Sequence, residues 1–340
     1  MKKATTSRPL ATLILGAASF VLGACAQTAT TIAPAGQKST AKSSKGTRAR
    51  KSPPPSTPSP PPQSRGGAGP YGAPVRLGDI EDPAVNESSG LVASRLNPAL
   101  LWTHNDSGDG PLLYALDREG RRRGVWRVRE AQARDWEDIA VGPGPVPRRS
   151  YLYVGDIGDN SERREEIIVY RVAEPSVAAD DASSSKARPR ATERAEAIRL
   201  KYPDGRHDAE ALMVHPASGD LYVVTKTTAA SAVVYKAAAP LDAAKVTTLT
   251  RAGEVRVPSL LGGMITGGDI SPDGRRVVLC DYFSGYELRL PDGAASFDAI
   301  WGQAPATIDL GARQQGEAVC YGLDGRSILA TSEKRPAPLI

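Results

Sequence analysis

Acids near the amino end, cysteines in number and long apolar runs are what this chain of 340 residues lacks. No stretch of eighteen or more apolar residues occurs, which excludes a bundle of membrane-spanning helices. Three cysteines exclude a miniprotein built on disulfides. No Gly-x-Ser-x-Gly elbow, phosphate loop or HExxH helix is present, so the commonest hydrolase, nucleotide and zinc-protease signatures are all missing. Residues 1–75 carry ten Lys/Arg and no acid, which leaves 33 basic against 38 acidic residues for the rest. The net charge of +5 is therefore a property of the tail. A nucleic-acid-binding domain would carry its basic excess on the folded surface, so the distribution argues against one.

What is present at the amino end is an export signal. Lys2, Lys3 and Arg8 precede a largely apolar stretch over 10–22, which has signal-peptide length and is too short to span a bilayer. It ends in Leu22-Gly23-Ala24-Cys25 and so resembles a bacterial lipoprotein signal. That resemblance implies a diacylglyceryl group on the Cys25 thiol, each buried methylene adding about 0.8 kcal/mol to anchoring. An ordinary secretory signal with an incidental cysteine is the alternative. The following Ala, Thr, Ser, Lys, Pro and Gly residues have almost nothing to bury, and a disordered tether is expected over 26–72. If flexible, such a segment reaches about 35–40 Å, and its seven cations could rest on anionic headgroups.

Beyond the tether a unit recurs. Short apolar strands are expected at 90–93, 138–141, 211–214, 269–272 and 318–321, each followed by a polar turn and a second strand. The turns are clearest as Ser218-Gly219-Asp220, Pro272-Asp273-Gly274 and Leu323-Asp324-Gly325. Third strands follow in all five copies and fourth strands in the first four. This pattern predicts an all-β, five-bladed β-propeller over 73–340, with a six-bladed ring as the alternative. The fifth copy lacks its last strand, and Ala73-Pro74-Val75-Arg76-Leu77 is expected to supply it, closing the ring and removing a sheet edge. Residues 180–197 read as a polar loop insertion, and Cys280 and Cys320 as either a pair or two small buried hydrophobes.

First strands of a propeller line its channel, so residues at their starts converge on one mouth. That column reads Ser89, Glu137, Glu210, Gly268 and Glu317. Grouped carboxylates repel and require a cation, a proton or water, and hard oxygen ligands suit Ca²⁺. A wet acidic rim is the plainer alternative. The ends of the second strands form another column: Asn105-Asp106, Asp156, Thr225-Lys226, Asp281-Tyr282 and Ser332-Glu333. Two run into oxygen-rich loops, at 104–110 and 155–160, which makes Asp106, Asp156 and Asp159 candidate ligands. The first loop begins like an EF-hand but has Leu116 where the closing acid belongs. Tight turns demand the same residue types. Of the three histidines, His104, His207 and His215, only His207 stands beside an acidic strand start, which makes it the candidate general base.

Glu87-Ser88-Ser89-Gly90-Leu91, residues 101–108, Trp136-Glu137-Asp138-Ile139, residues 153–160 and Asp208-Ala209-Glu210-Ala211-Leu212 together resemble a family of secreted bacterial propellers. That group is related to phytase-like esterase domains and more distantly to gluconolactonase-type and WD-repeat propellers. The gluconolactonase-like group holds a channel metal on a strand-one glutamate with Asn and Asp partners, which implies such a role for Glu137, Glu210 or Glu317. Fold alone carries no activity. The resulting expectation is an exported, lipid-anchored, monomeric binding or scaffold module, Ca²⁺ its candidate cofactor and an extracytoplasmic ligand or protein its partner. The alternative is a metal-dependent hydrolase of esters, lactones or phosphoesters.

Overall fold

The computed structural model describes residues 71–340. The expected export signal, the expected lipidation at Cys25 and the expected tether up to residue 70 lie outside the described residues. No helix among the described residues is long and apolar enough to cross a membrane.

A two-residue strand, β1 (Gly78–Asp79), opens the fold. Blade one is β2 (Ser88–Ala93), β3 (Leu100–Asn105), β4 (Leu112–Asp117) and β5 (Arg122–Arg129). Blade two is β6 (Trp136–Pro143), β7 (Ser150–Asp156) and β8 (Ile167–Ala173), then, after an excursion containing β9 (Arg190–Arg194), β10 (Glu196–Lys201). Blade three is β11 (Ala209–Val214), β12 (Leu221–Thr225) and β13 (Ala232–Ala237), followed past the short β14 (Thr247–Thr248) by β15 (Thr250–Val255). Blade four is β16 (Gly267–Ile270), β17 (Arg276–Cys280), β18 (Gly285–Arg289) and β19 (Ala306–Ile308). The chain ends with β20 (Gly316–Tyr321), β21 (Ile328–Ser332) and β22 (Pro338–Leu339).

This is a β-propeller with four blades, not the five or six that the repeats predict. The fifth copy forms the two-stranded sheet β20–β21, and β22 pairs antiparallel with β1 in a second two-stranded sheet, the two joined only where Ala330 and Ile340 exchange backbone hydrogen bonds at 3.0 Å. The closing segment is also later than expected. Gly78 and Asp79 pair with Leu339 and Pro338, whereas 73–77 contributes only the Leu77 amide, which donates to the Leu339 carbonyl at 2.8 Å. Pro74 lacks a backbone donor, as do Pro336 and Pro338 on the other side, which keeps the ladder short. The ring still closes around its innermost strands: β2 lies against β6, β6 against β11, β11 against β16, β16 against β20 and β20 against β2.

Burial explains why each sequence takes its place. Inner strands such as β2, β6 and β11 pack on both faces and read as nearly unbroken buried runs, whereas outer strands such as β5 and β10 alternate. The apolar side chains meet between blades. Trp102, Trp126 and Trp136 fill the junction of blades one and two, and Tyr222, Tyr286 and Trp301 that of blades three and four. Burying one such large apolar side chain stabilises the fold by roughly 1.5–3 kcal/mol. Gly219, Gly274 and Gly325 close the three predicted turns with positive φ of 79°, 69° and 61°, which a side chain would strain. Cys280 and Cys320 are free and buried, and burial pushes the Cys280 thiol up to about 12.

The expected loop insertion is structured. It runs through a 3-10 turn (Ala179–Ser183) and returns as β9, which joins blade one in parallel beside β5. In blade three the equivalent connection supplies β14, which joins blade two in parallel beside β10. In blade four it supplies a 3-10 helix (Phe297–Gly302) that packs on β15 of blade three. In blades two to four the strand-three-to-four connection therefore reaches back and covers the outer edge of the preceding blade.

Candidate functional site

The innermost strands share a defect that creates the site. Pairing between β2 and β3 skips Ser89, and the corresponding pairings of β6, β11 and β20 skip Glu137, Glu210 and Glu317. A bulged residue has no ladder partner and its side chain is re-aimed. In β16 the ladder runs unbroken through Gly268, the one position of the column without a functional side chain. All four bulged residues face a recess of about 110 Å³ at the channel mouth. Asp106, Lys226 and Glu333, which directly follow β3, β12 and β21, and Tyr282, two residues after β17, line it from the second column. In blade two Ile157 fills the equivalent place and is fully buried.

One backbone contact repeats around the mouth and sets the two columns face to face. The amide of Asp106 donates to the Glu87 carbonyl at 3.0 Å, that of Lys226 to Asp208 at 3.0 Å and that of Glu333 to Gln315 at 2.9 Å. Side chains ending the second strands pin the same loops. Asn105 Oδ1 accepts the amides of Asn86 and Glu87 at 3.1 and 3.2 Å, Asp156 Oδ2 that of Arg134 at 3.1 Å, and Ser332 Oγ that of Gln315 at 3.1 Å.

Asp156 and Asp159 are thereby committed elsewhere. Asp156 Oδ1 pairs with the buried Arg164 guanidinium at 2.7 Å, and Asp159 Oδ2 accepts the Arg164 amide at 2.6 Å. Neither carboxylate lines the recess, although Asn160 of the same loop does. The EF-hand-like loop is likewise self-satisfied: Asp109 accepts from Asn105 Nδ2 at 2.7 Å and Tyr114 OH at 2.9 Å, and pairs with Lys186. His207 lies outside the recess, with Nε2 at 3.0 Å from both Asp204 Oδ1 and the Tyr235 hydroxyl, its ring stacked on Tyr235. His104 packs edge-on against Trp136, burial pushing it down to about 4, and His215 Nδ1 accepts the Ser218 amide. The three imidazoles share no site.

Five of the ten residues lining the recess are acids and one is a lysine. Oxygens of Asp106, Asp135 and Glu137 lie within 4.8 Å of one another. Two oxygens on opposite sides of one Ca²⁺, each about 2.4 Å away, are separated by about that distance. Gly158 backs this trio. A Cβ there would overlap Glu137 Oε1 and stand 2.6 Å from Asp135 Oδ2, so only glycine lets the loop approach. Burial, then the neighbouring carboxylates, pushes Asp135 up to about 6 and Glu137 well above the usual range, and burial also raises Asp106. Burial likewise carries Glu317 up to about 7 against the opposing Gln315 hydrogen bond and Lys226 charge. Burial is the leading cause of each shift, and the neighbouring carboxylates add to it.

The other half of the recess has its own cation. Lys226 Nζ pairs with Glu210 Oε1 and sits 5.5 Å over the Tyr282 ring. Burial works against the ammonium, but Glu210 outweighs it and the net shift is upward. Glu210 Oε2 is buried without a partner.

Asp135 escapes a reading confined to strand starts, but it carries a signal. It stands two residues before a bulged glutamate, as Asp208 does before Glu210 and Gln315 before Glu317. A larger recess, about 770 Å³, opens at the opposite end of blades two and three beside Tyr153, Arg171 and Pro240. Its buried charge, Arg171, is satisfied by Glu196 at 2.7 Å, so the acidic mouth and not the larger space holds the unpaired chemistry.

No protein-family model matches the chain, and no curated protein does.

Proposed function

We propose that this propeller is an extracytoplasmic binding module, tethered to a lipid surface through Cys25, whose channel mouth takes a divalent cation on Asp106, Asp135 and Glu137. The observation that carries the reading is the convergence of three carboxylates at ion-sized spacing, while Arg164 and Lys226, whose charges reach them, pair with Asp156 and Glu210. Hard oxygen donors favour Ca²⁺. The remaining volume accommodates a few waters of about 30 Å³ each or one small oxygen-bearing group of a ligand, not a whole sugar.

The test is a calorimetric Ca²⁺ titration of the full-length chain, wild type against Asp106→Asn and Glu137→Gln. A saturable wild-type isotherm weakened at least tenfold in either variant supports the reading, and a flat wild-type isotherm overturns it. Palmitate incorporation that Cys25→Ser abolishes supports the anchor. Turnover of aryl esters, lactones or phytate that a chelator abolishes would make the same ion hydrolytic. Its base would then be a mouth carboxylate, because His207 faces Asp204 and Tyr235.

A further inference from the structure

The acids of the mouth fall into two halves that differ in one respect. Asp106, Asp135 and Glu137 make no salt bridge among the described residues, Arg164 being paired with Asp156, whereas Glu210 shares its carboxylate with Lys226. Glu317 stands beside that second half, with Oε1 accepting from Gln315 Nε2 at 2.9 Å. Lys226 is itself nearly buried, its side chain 14% exposed, and Tyr282 covers it. The ammonium uses one oxygen of Glu210 and leaves Oε2, in a residue 4% exposed, unpartnered on the recess. A buried carboxylate oxygen is not left bare without cost.

We infer that Lys226 is a built-in cation standing where a second metal ion would bind, so that the mouth takes one divalent ion and not two. The inference rests on the cation reading above. A lysine from the end of β12 reaches the Glu210 bulge of the adjacent strand, and its charge repels a divalent ion from Glu210 and Glu317. Removing the ammonium while keeping the chain's apolar stem leaves Glu210, with Glu317 nearby, as oxygen donors around space already present. The specificity of the mouth for its ligand follows: any bound molecule meets a metal on the blade-one and blade-two side and an ammonium on the blade-three side. That pair of charges favours a small anionic group, a carboxylate or a phosphate, bridging the two.

The experiment counts ions. Ca²⁺ stoichiometry is measured by equilibrium dialysis on the full chain for wild type, Lys226→Met and Lys226→Arg. The expected values are one, two and one. One ion at wild-type affinity in folded Lys226→Met overturns the inference. If wild type binds none but Lys226→Met binds one, the cation reading of the first half fails while the role of Lys226 stands. Should Lys226→Met not fold, the double variant Lys226→Met/Glu210→Gln removes charge and partner together. It is expected to keep one ion within about threefold of wild-type affinity, the change Lys226 exerts through space. Loss of that ion would show Glu210 to be a ligand of a single undivided site and overturn the inference.

Discussion

Glu137 and Asp138 are neighbours in the chain, equally buried, and the fold treats them in opposite ways. Asp138 points across the blade junctions and accepts the amides of Ile139 at 2.8 Å, Leu212 at 2.9 Å and Gly268 at 3.3 Å. Asp269 does the same at the other side of the ring, accepting Ile270 at 2.8 Å and Tyr321 at 2.9 Å. Glu137 sits on the bulge and receives nothing comparable; its environment is other acids. One extra residue in a ladder thus separates a carboxylate that braces blades from a carboxylate that is available to a ligand.

The largest expected effect tests the bracing side. Asp138→Ala strands three buried amides, at about 1 kcal/mol or more each, and should lower unfolding stability by about 3 kcal/mol or more in a urea titration; a loss no larger than that of Glu137→Ala would erase the contrast. Asp269→Ala, with two amides, should cost about 2 kcal/mol by the same argument.

Glu137→Gln should do the reverse in chelator-treated protein at pH 7.5, raising stability by roughly 1 kcal/mol as like-charge repulsion is relieved. A loss there would mean that the glutamate is structural.

The pH dependence follows from the raised acids. Asp135, at about 6, and Glu317, at about 7, hold protons more tightly in the folded chain than in the unfolded one, where carboxyls titrate near 4. Their favourable contribution is complete below about pH 4 and is lost as pH rises through 6 to 7. The metal-free protein should therefore melt lower at pH 7.5 than at pH 5 where these groups dominate, and Ca²⁺ should restore more at pH 7.5. A melting temperature that Ca²⁺ shifts equally at both values contradicts this. The smallest effect is expected at His207: Gln in its place should leave Ca²⁺ affinity within twofold.

Much of this was legible from the repeats. Aligning the five copies puts Ser89, Glu137, Glu210 and Glu317 in one column and Asp106, Lys226, Tyr282 and Glu333 in another, and the structure brings both columns to one recess. The oxygen-rich loop at 155–160 reads two ways for a chemical reason. Asp and Gly serve tight turns and ligand loops alike, and the residue that decides between them, Arg164, lies several positions further along. The parallel additions of β9 and β14 are contacts with a preceding blade, beyond the reach of any local pattern. The blade count failed at the carboxyl end, where Pro336 and Pro338 limit pairing whatever the repeat suggests.

The backward-reaching connections bear on how such a ring can change in evolution. Because β9, β14 and the Phe297–Gly302 turn each roof a neighbour's rim, deleting or duplicating one sheet would bare a strand on a sheet that had itself not been altered. An exposed rim of that kind templates aggregation, so gain or loss of whole units should be selected against unless the adjoining roof travels with them.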